Sequence, residues 1–375
     1  MLARLALILA FAVAPFAHAD APPPPPIAAK AWVLYDFSAG QVIASQAPDD
    51  KVEPASLTKL MTAYLVFQAL QKGSIKLDQV VPVSERAWKA GGSRMFIEPR
   101  KPVTVEELIK GMIIQSGNDA TIALAELVGG SEETFAMMMN KEGQRLGLKN
   151  TSFANSSGWP DPKHYATARD LALLAAAVIR DFPEYYGQYY STKEYRYNNI
   201  SQPNRNRLLW IDPTVDGVKT GHTEAAGYCL IASAKRGPRR LVSVVVGTNS
   251  DSMRAQESLK LLNYGFQFYE SVRLYEKGKS ISALKVWKGV SEDLKAGVSD
   301  DLTLIVPKGD VDKLKAELVS QQPLVAPVQA GQKVGVVRVS LEGKPLGEYP
   351  VVALDAVPAA GFFGRTYDTI RLWFK

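Results

Sequence analysis

Cysteine is almost absent. Cys229 is the one thiol in 375 residues, so no disulfide can form within the chain. Its setting, GYCLIAS, is apolar and strand-like, which predicts a buried and inert thiol. Histidine is scarce too, at three, and His164 and His222 lie far apart without ligand spacing. No convincing zinc site can be assembled from these residues, and no other metal is expected. Blocks of lysine or arginine are missing, and the net charge of +6 supports only a weak attraction to anionic surfaces. A nucleic-acid partner is therefore not expected. Long apolar runs are missing as well. LALILAFAVA, at 5–14, has ten residues, whereas a bilayer-spanning helix needs about 20. With Arg4 before it and Ala17-His18-Ala19 after it, the run reads as an export signal over 1–19. The mature chain is then expected to start near Asp20.

What is present reads as a globular chain long enough for more than one domain. The segment 20–29, covering most of APPPPPIAAK at 21–30, is expected to be a proline-rich tether without binding function. AWVLYDF and QVIASQ read as two strands joined by a turn at Ser38-Ala39-Gly40. LTKLMTAYLVFQAL then has Leu57, Leu60, Met61, Tyr64 and Leu65 at helical spacing. Further helices are predicted at 103–114, 119–129, 131–147 and 168–180, with Met137 to Met139 as core filler. From 216 the texture changes: DGVKTG, YCLIASAK and RRLVSVVVGT suggest an antiparallel meander. In that reading Lys219-Thr220-Gly221 opens a strand running to Ala232. A helix over 255–271 follows. Strands at both ends and helices between them predict one mixed α/β domain over 30–272.

After it the helical signal fades. SALKVWKG, DLTLIVPKG, VGVVRVSLEG and GEYPVVAL alternate and are punctuated by turns, which predicts a small all-β domain over 276–354. The tail, 358–375, is expected to form an amphipathic helix. It would carry Phe363, Tyr367, Ile370, Trp373 and Phe374 on one face, and Arg365, Asp368, Arg371 and Lys375 on the other. Too short to span a bilayer, such a helix suits a membrane interface.

Chemistry is concentrated in three fragments. Ser56 precedes Lys59 by three residues at the start of a helix, where the two share a face. Alone the pair means little, because Pro54 and Ser56 also suit a helix start. A second pair of the same spacing, Ser282 and Lys285, lies in strand-like sequence, where such residues point to opposite faces. Ser116-Gly117-Asn118 breaks the chain between two apolar helices, and Lys219-Thr220-Gly221 is the third fragment. Each has a bland explanation in turn chemistry or a surface lysine. The ordered set Ser-x-x-Lys, Ser-x-Asn, Lys-Thr-Gly is far more specific.

With EPASLTKLMTAY, QSGNDA, LGLKNTSF, ARDLALL, NRNRLLW, VDGVKTGHTEAAGY and the amphipathic tail, the chain resembles the low-molecular-mass penicillin-binding D-alanyl-D-alanine carboxypeptidases. One departure is Cys229, where members of that family carry asparagine. The resemblance implies a β-lactamase/transpeptidase-like α/β (α+β) domain, with an antiparallel sheet flanked by helices. It also implies a serine mechanism without cofactor, acting on peptidoglycan stem peptides and acylated by β-lactams. Ser56 would be the nucleophile and Lys59 its base, with the pKa of Lys59 lowered by burial and by Lys219 as a second cation. Ser116 would relay a proton to the leaving D-alanine, and the Asn118 amide would hold the substrate backbone. Lys219, Thr220 and Gly221 would face the terminal carboxylate, joined by Arg254. Backbone N–H groups of Ser56 and His222 would form the oxyanion hole. The location implied is the periplasmic face of the inner membrane.

Three other readings compete. A serine β-lactamase shares the motifs, but no Glu-x-x-Leu-Asn segment occurs between 119 and 218. A DD-endopeptidase would use the same residues on cross-linked substrate. A non-enzymatic wall-binding module would require the intact motifs to be relics.

Overall fold

The computed structural model describes residues 21–373. The expected export signal, Phe374 and Lys375 lie outside the described residues. β1 (Ala31–Asp36) and β2 (Gln41–Gln46) form the expected hairpin. Five long helices follow: α1 (Lys59–Gln71), α2 (Val105–Ile113), α3 (Asn118–Gly129), α4 (Glu132–Arg145) and α5 (Ala168–Asp181). Then come β3 (Val215–Thr223), β4 (Gly227–Arg236), β5 (Arg239–Thr248) and α6 (Asp251–Phe268). The strands are ordered β2-β1-β5-β4-β3, every neighbour antiparallel. The single strand expected from Lys219 to Ala232 is two strands. The chain turns after Thr223, whose Oγ1 accepts the Ala226 N–H, and Lys219 sits mid-strand.

Helices cover both faces of this sheet, which is why β1 is buried along its whole length. Successive side chains alternate between two cores. Ala31, Val33 and Tyr35 join the cluster that includes α1 and α5, whereas Trp32 and Leu34 join α6. Leu57, Leu60, Met61, Tyr64 and Leu65 are all buried, as their spacing predicts. Cys229 is fully buried, and burial pushes its thiol up to about 11, so it is inert at neutral pH. The methionine run divides: Met139 is core, but Met137 is 65% exposed. Residues two apart on a helix point about 200° apart, so the two fall on opposite faces.

The proline-rich segment is docked. Tyr264 donates to the Pro22 carbonyl at 2.7 Å, and Ile27 is buried in the α6 cluster. At its other end α6 stops at Phe268 and the chain enters β6 (Tyr269–Tyr275) directly. The helix expected to reach Ser271 is therefore shorter, and the strand spans the interval between 272 and 276. β7 (Ser280–Trp287), β8 (Asp293–Gly297), β9 (Leu302–Pro307), β10 (Leu314–Ser320), β11 (Lys333–Leu341) and β12 (Lys344–Ala353) complete the β-rich region. β6 pairs with β9, and the others form a sheet ordered β10-β11-β12-β8-β7 with a two-residue strand at its edge. α7 (Phe362–Trp373) packs by its polar side: Asp368 accepts the Lys288 N–H at 2.6 Å, and Arg371 lies over Trp287. Phe362, Phe363, Tyr367, Ile370 and Trp373 remain more than half exposed.

Candidate active site

Ser56 lies in a short 3-10 turn, Ala55–Thr58, that feeds α1. Its side chain caps nothing; its Oγ instead accepts a hydrogen bond from Lys59 Nζ at 2.9 Å. Lys59 is 1% exposed and distributes its other donors to Asn118 Oδ1 at 2.7 Å and the Ser157 carbonyl at 2.8 Å. Three donors meet three acceptors, which is the full capacity of an ammonium group. Burial lowers the Lys59 pKa to about 7, helped by the positive charge of Arg205 and partly offset by Asp119 and Glu132.

The second motif is a strained corner. Ser116 has φ +60°, a left-handed conformation that costs a non-glycine residue roughly 1–3 kcal/mol. It is held by structure on both sides, with α2 ending just before it and α3 starting at Asn118. The Asp119 carboxylate ties this corner to the preceding loop by accepting the N–H groups of Met95, Phe96 and Ile97. Ser116 Oγ accepts from Lys219 Nζ at 2.9 Å, and Lys219 also donates to the Thr220 carbonyl at 3.1 Å. Burial lowers the Lys219 pKa well below its ordinary value, followed by the charges of Lys59, Arg205 and Arg254. The cation expected to depress Lys59 was Lys219. Burial is the main cause, the charge of Arg205 adds to it, and the repulsion between the two buried lysines acts on the pair.

β3 is the outer strand of its sheet, so one edge of its backbone is free of a strand partner. It runs beside the serine turn: a Cβ placed on Gly221 would meet the Pro54 carbonyl at 3.0 Å. From the other side the loop 154–160 closes on the same turn. A Cβ on Gly158, where φ is +85°, would fall 1.8 Å from the Ala55 carbonyl oxygen. Only glycine allows that approach. Asn155 shapes the loop by accepting N–H bonds from Gly158 and Trp159, and His164 joins it to the turn. His164 Nε2 lies 2.8 Å from Thr58 Oγ1 while its Nδ1 accepts the Ala154 N–H, and burial lowers its pKa to about 4.

Above these groups opens a cleft of about 990 Å³, flanked by the exposed rings of Trp159 and Trp210. Ser56, Ser116, Asn118, Thr220, Gly221, His222 and Arg254 all line it, with Lys59 and Lys219 beneath the two serines. Residues taken from four separate stretches of sequence thus converge on one cavity. Arg254, in the first turn of α6, donates to the Gly221 carbonyl at 3.1 Å and to Asp251. The His222 ring is exposed to the cleft and packs on Tyr228, with centroids 4.1 Å apart. Asn118 departs from its expected use, because Oδ1 holds Lys59 and Nδ2 donates to the Gly91 carbonyl at 2.7 Å. Arg205, Asp251, Ser157 and His164 were missed by sequence reading. Arg205 lay within a quoted motif, NRNRLLW, but Ser157 contributes only a carbonyl, which no residue type announces.

A serine with a buried, part-neutral lysine on its hydroxyl, beside a sheet edge and a second serine–lysine pair, defines a serine acyl-transfer enzyme. The family is equally plain. The profile described as D-alanyl-D-alanine carboxypeptidase matches residues 18–250, and the C-terminal domain of penicillin-binding protein 5 matches 269–359. Two curated relatives from Escherichia coli, the D-alanyl-D-alanine carboxypeptidases DacC and DacA, are 43% and 42% identical. They cover 98% and 99% of this chain, and 94% and 96% of their own lengths. The solved structure of penicillin binding protein 5 from Haemophilus influenzae is 42% identical. It matches with a TM-score of 0.87 over 89% of this chain and 99% of that one. The chain belongs to the D-alanyl-D-alanine carboxypeptidase family and is a serine-type peptidase.

Proposed function

We propose that this enzyme removes the terminal D-alanine from peptidoglycan stem peptides through an acyl-enzyme on Ser56, and that penicillins acylate the same oxygen. The 2.9 Å contact between Lys59 Nζ and Ser56 Oγ carries the reading, because it joins a nucleophile to a base that is half neutral near pH 7. Neutral Lys59 takes the Ser56 proton as Oγ attacks the penultimate D-alanine carbonyl. The N–H groups of Ser56 and His222 receive the oxyanion. Ser116, polarised by Lys219, relays that proton from Lys59 to the departing amine, which restores neutral Lys59 and the Ser116 hydroxyl. Lys219, Thr220 and Arg254 receive the terminal carboxylate, with Gly221 keeping the strand close to the nucleophile. Asn118 is assigned to fixing Lys59. Water then cleaves the ester. No step calls for a metal or an organic cofactor.

A fluorescent penicillin is expected to label the wild-type chain and not Ser56→Ala, and labelling that survives the substitution would overturn the assignment. D-alanine release from a pentapeptide should exceed cleavage of a cross-linked dimer, which separates carboxypeptidase from endopeptidase.

The same reading covers the remaining parts of the chain. Residues 1–19 direct export, 30–272 form the peptidase domain and 276–354 the core of the all-β domain. The tail holds the enzyme on the periplasmic face of the inner membrane. Support for the last point is the outward row of Phe363, Tyr367, Ile370 and Trp373. Truncation after Ala360 should release the enzyme into the soluble fraction, and continued sedimentation with membranes would refute the anchor.

A further inference from the structure

Asp251 is the unexplained acid of the cleft. It stands in the first turn of α6, is 31% exposed, and its carboxylate bridges two arginines: one oxygen to Arg254, the other to Arg207. Arg254 is itself only 6% exposed, with a second hydrogen bond to the Gly221 carbonyl and its guanidinium over the Tyr228 ring. Arg207 is 60% exposed at the cleft wall. A carboxylate of the chain therefore occupies the guanidinium assigned above to a carboxylate of the substrate.

We propose that Asp251 is a specificity-determining residue: it competes with the ligand's terminal carboxylate for Arg254, and Arg207 draws it aside when the ligand binds. The proposal rests on the reading of Arg254 as a carboxylate-binding residue. Two carboxylates at one guanidinium fork repel at close range, where the cleft lowers the effective dielectric. Binding then exchanges one ion pair for another instead of adding one. The affinity gained from Arg254 is smaller than a free guanidinium would give, and ligands without a carboxylate bear none of that penalty. Arg207 limits the loss, because the displaced Asp251 keeps one arginine partner. The device thus sets affinity for the carboxylate without touching the acylation chemistry.

The test is steady-state kinetics on a peptide ending in D-Ala-D-Ala, with a D-alaninamide-terminated peptide as competitor. Asp251→Asn should lower KM several-fold with kcat little changed, and should leave the inhibition constant of the amide competitor unchanged. Arg207→Ala should raise KM in the wild-type background and have no effect on top of Asp251→Asn, a non-additivity that a merely local ion pair would not produce. A raised or unchanged KM in Asp251→Asn would overturn the proposal, as would an equal gain for the amide. Arg254→Ala separates the two layers. If it leaves KM for the acid substrate unchanged, the carboxylate role of Arg254 fails. If it raises KM while Asp251→Asn does nothing, only the competition fails. A thermal melt of each variant confirms that the fold is retained.

Discussion

Asn118 Oδ1 lies 2.7 Å from Lys59 Nζ, so the amide of the second motif holds the lysine of the first. Together with the Ser157 carbonyl it fixes the ammonium against Ser56 without adding a negative charge. A carboxylate in that position would hold Lys59 protonated, whereas a neutral amide leaves burial free to lower its pKa.

That arrangement predicts a pH profile. With the Lys59 pKa near 7, the rate of acylation by a β-lactam should rise as pH increases through about 7 and then level off. Asn118→Asp should move this rise toward higher pH, because an added anion favours the protonated lysine. Stopped-flow acylation across pH 5–10 reads both profiles.

Arg205 is exposed, lines the cleft and has no acid partner among the described residues, yet its charge reaches Lys59, Lys219 and Arg254. Arg205→Ala removes a repulsive charge, so the Lys59 pKa should rise and the acylation profile shift to higher pH. An unmoved profile would show that burial alone sets the base.

His164 predicts acid sensitivity. Its folded pKa, about 4, lies below the usual value near 6.5 of an unfolded chain, so between those values the unfolded state binds more protons. Stability should fall as pH drops through that window, by up to roughly 3 kcal/mol. His164→Gln should be less stable at pH 7, through loss of the Thr58 contact, but should lose less between pH 7 and 4.5. Urea melts at the two pH values measure the difference.

Gly158→Ala should be severe. Its Cβ would overlap the Ala55 carbonyl, a backbone atom that cannot swing aside, at a position with φ +85°. The loop must lift off the serine turn, taking the Ser157 carbonyl from Lys59. Labelling by a fluorescent penicillin should fall at least tenfold, with a lower melting temperature.

The sequence made the three motifs and most of the elements legible because periodicity and motif order are local properties. Leu57 to Leu65 showed the buried face of α1, and the hydrophobic runs of β3 to β5 showed the meander. What escaped was set by non-local geometry. β8 and β10, with the sequences DLKAG and LKAELVS, are short or charged and become strands only beside their partners. The turn after Thr223 falls at Glu224-Ala225-Ala226, which holds no glycine or proline to announce it. Arg205 and Asp251 look like surface charges until the fold sets them around one cleft. His164 carries no signal of its own, since its partner Thr58 is 106 residues away.

α6 places Arg254 at the cleft, and the strand that follows it begins the β-rich region. Its 18 residues make a strut about 27 Å long. At its far end Arg239 bonds the Gly265 and Tyr269 carbonyls and pairs with buried Asp36, which also accepts from Ser271. Arg254 and the seat of the second region are thus two ends of one rod, and their separation is set by the length of a helix rather than by adjustable side-chain contacts.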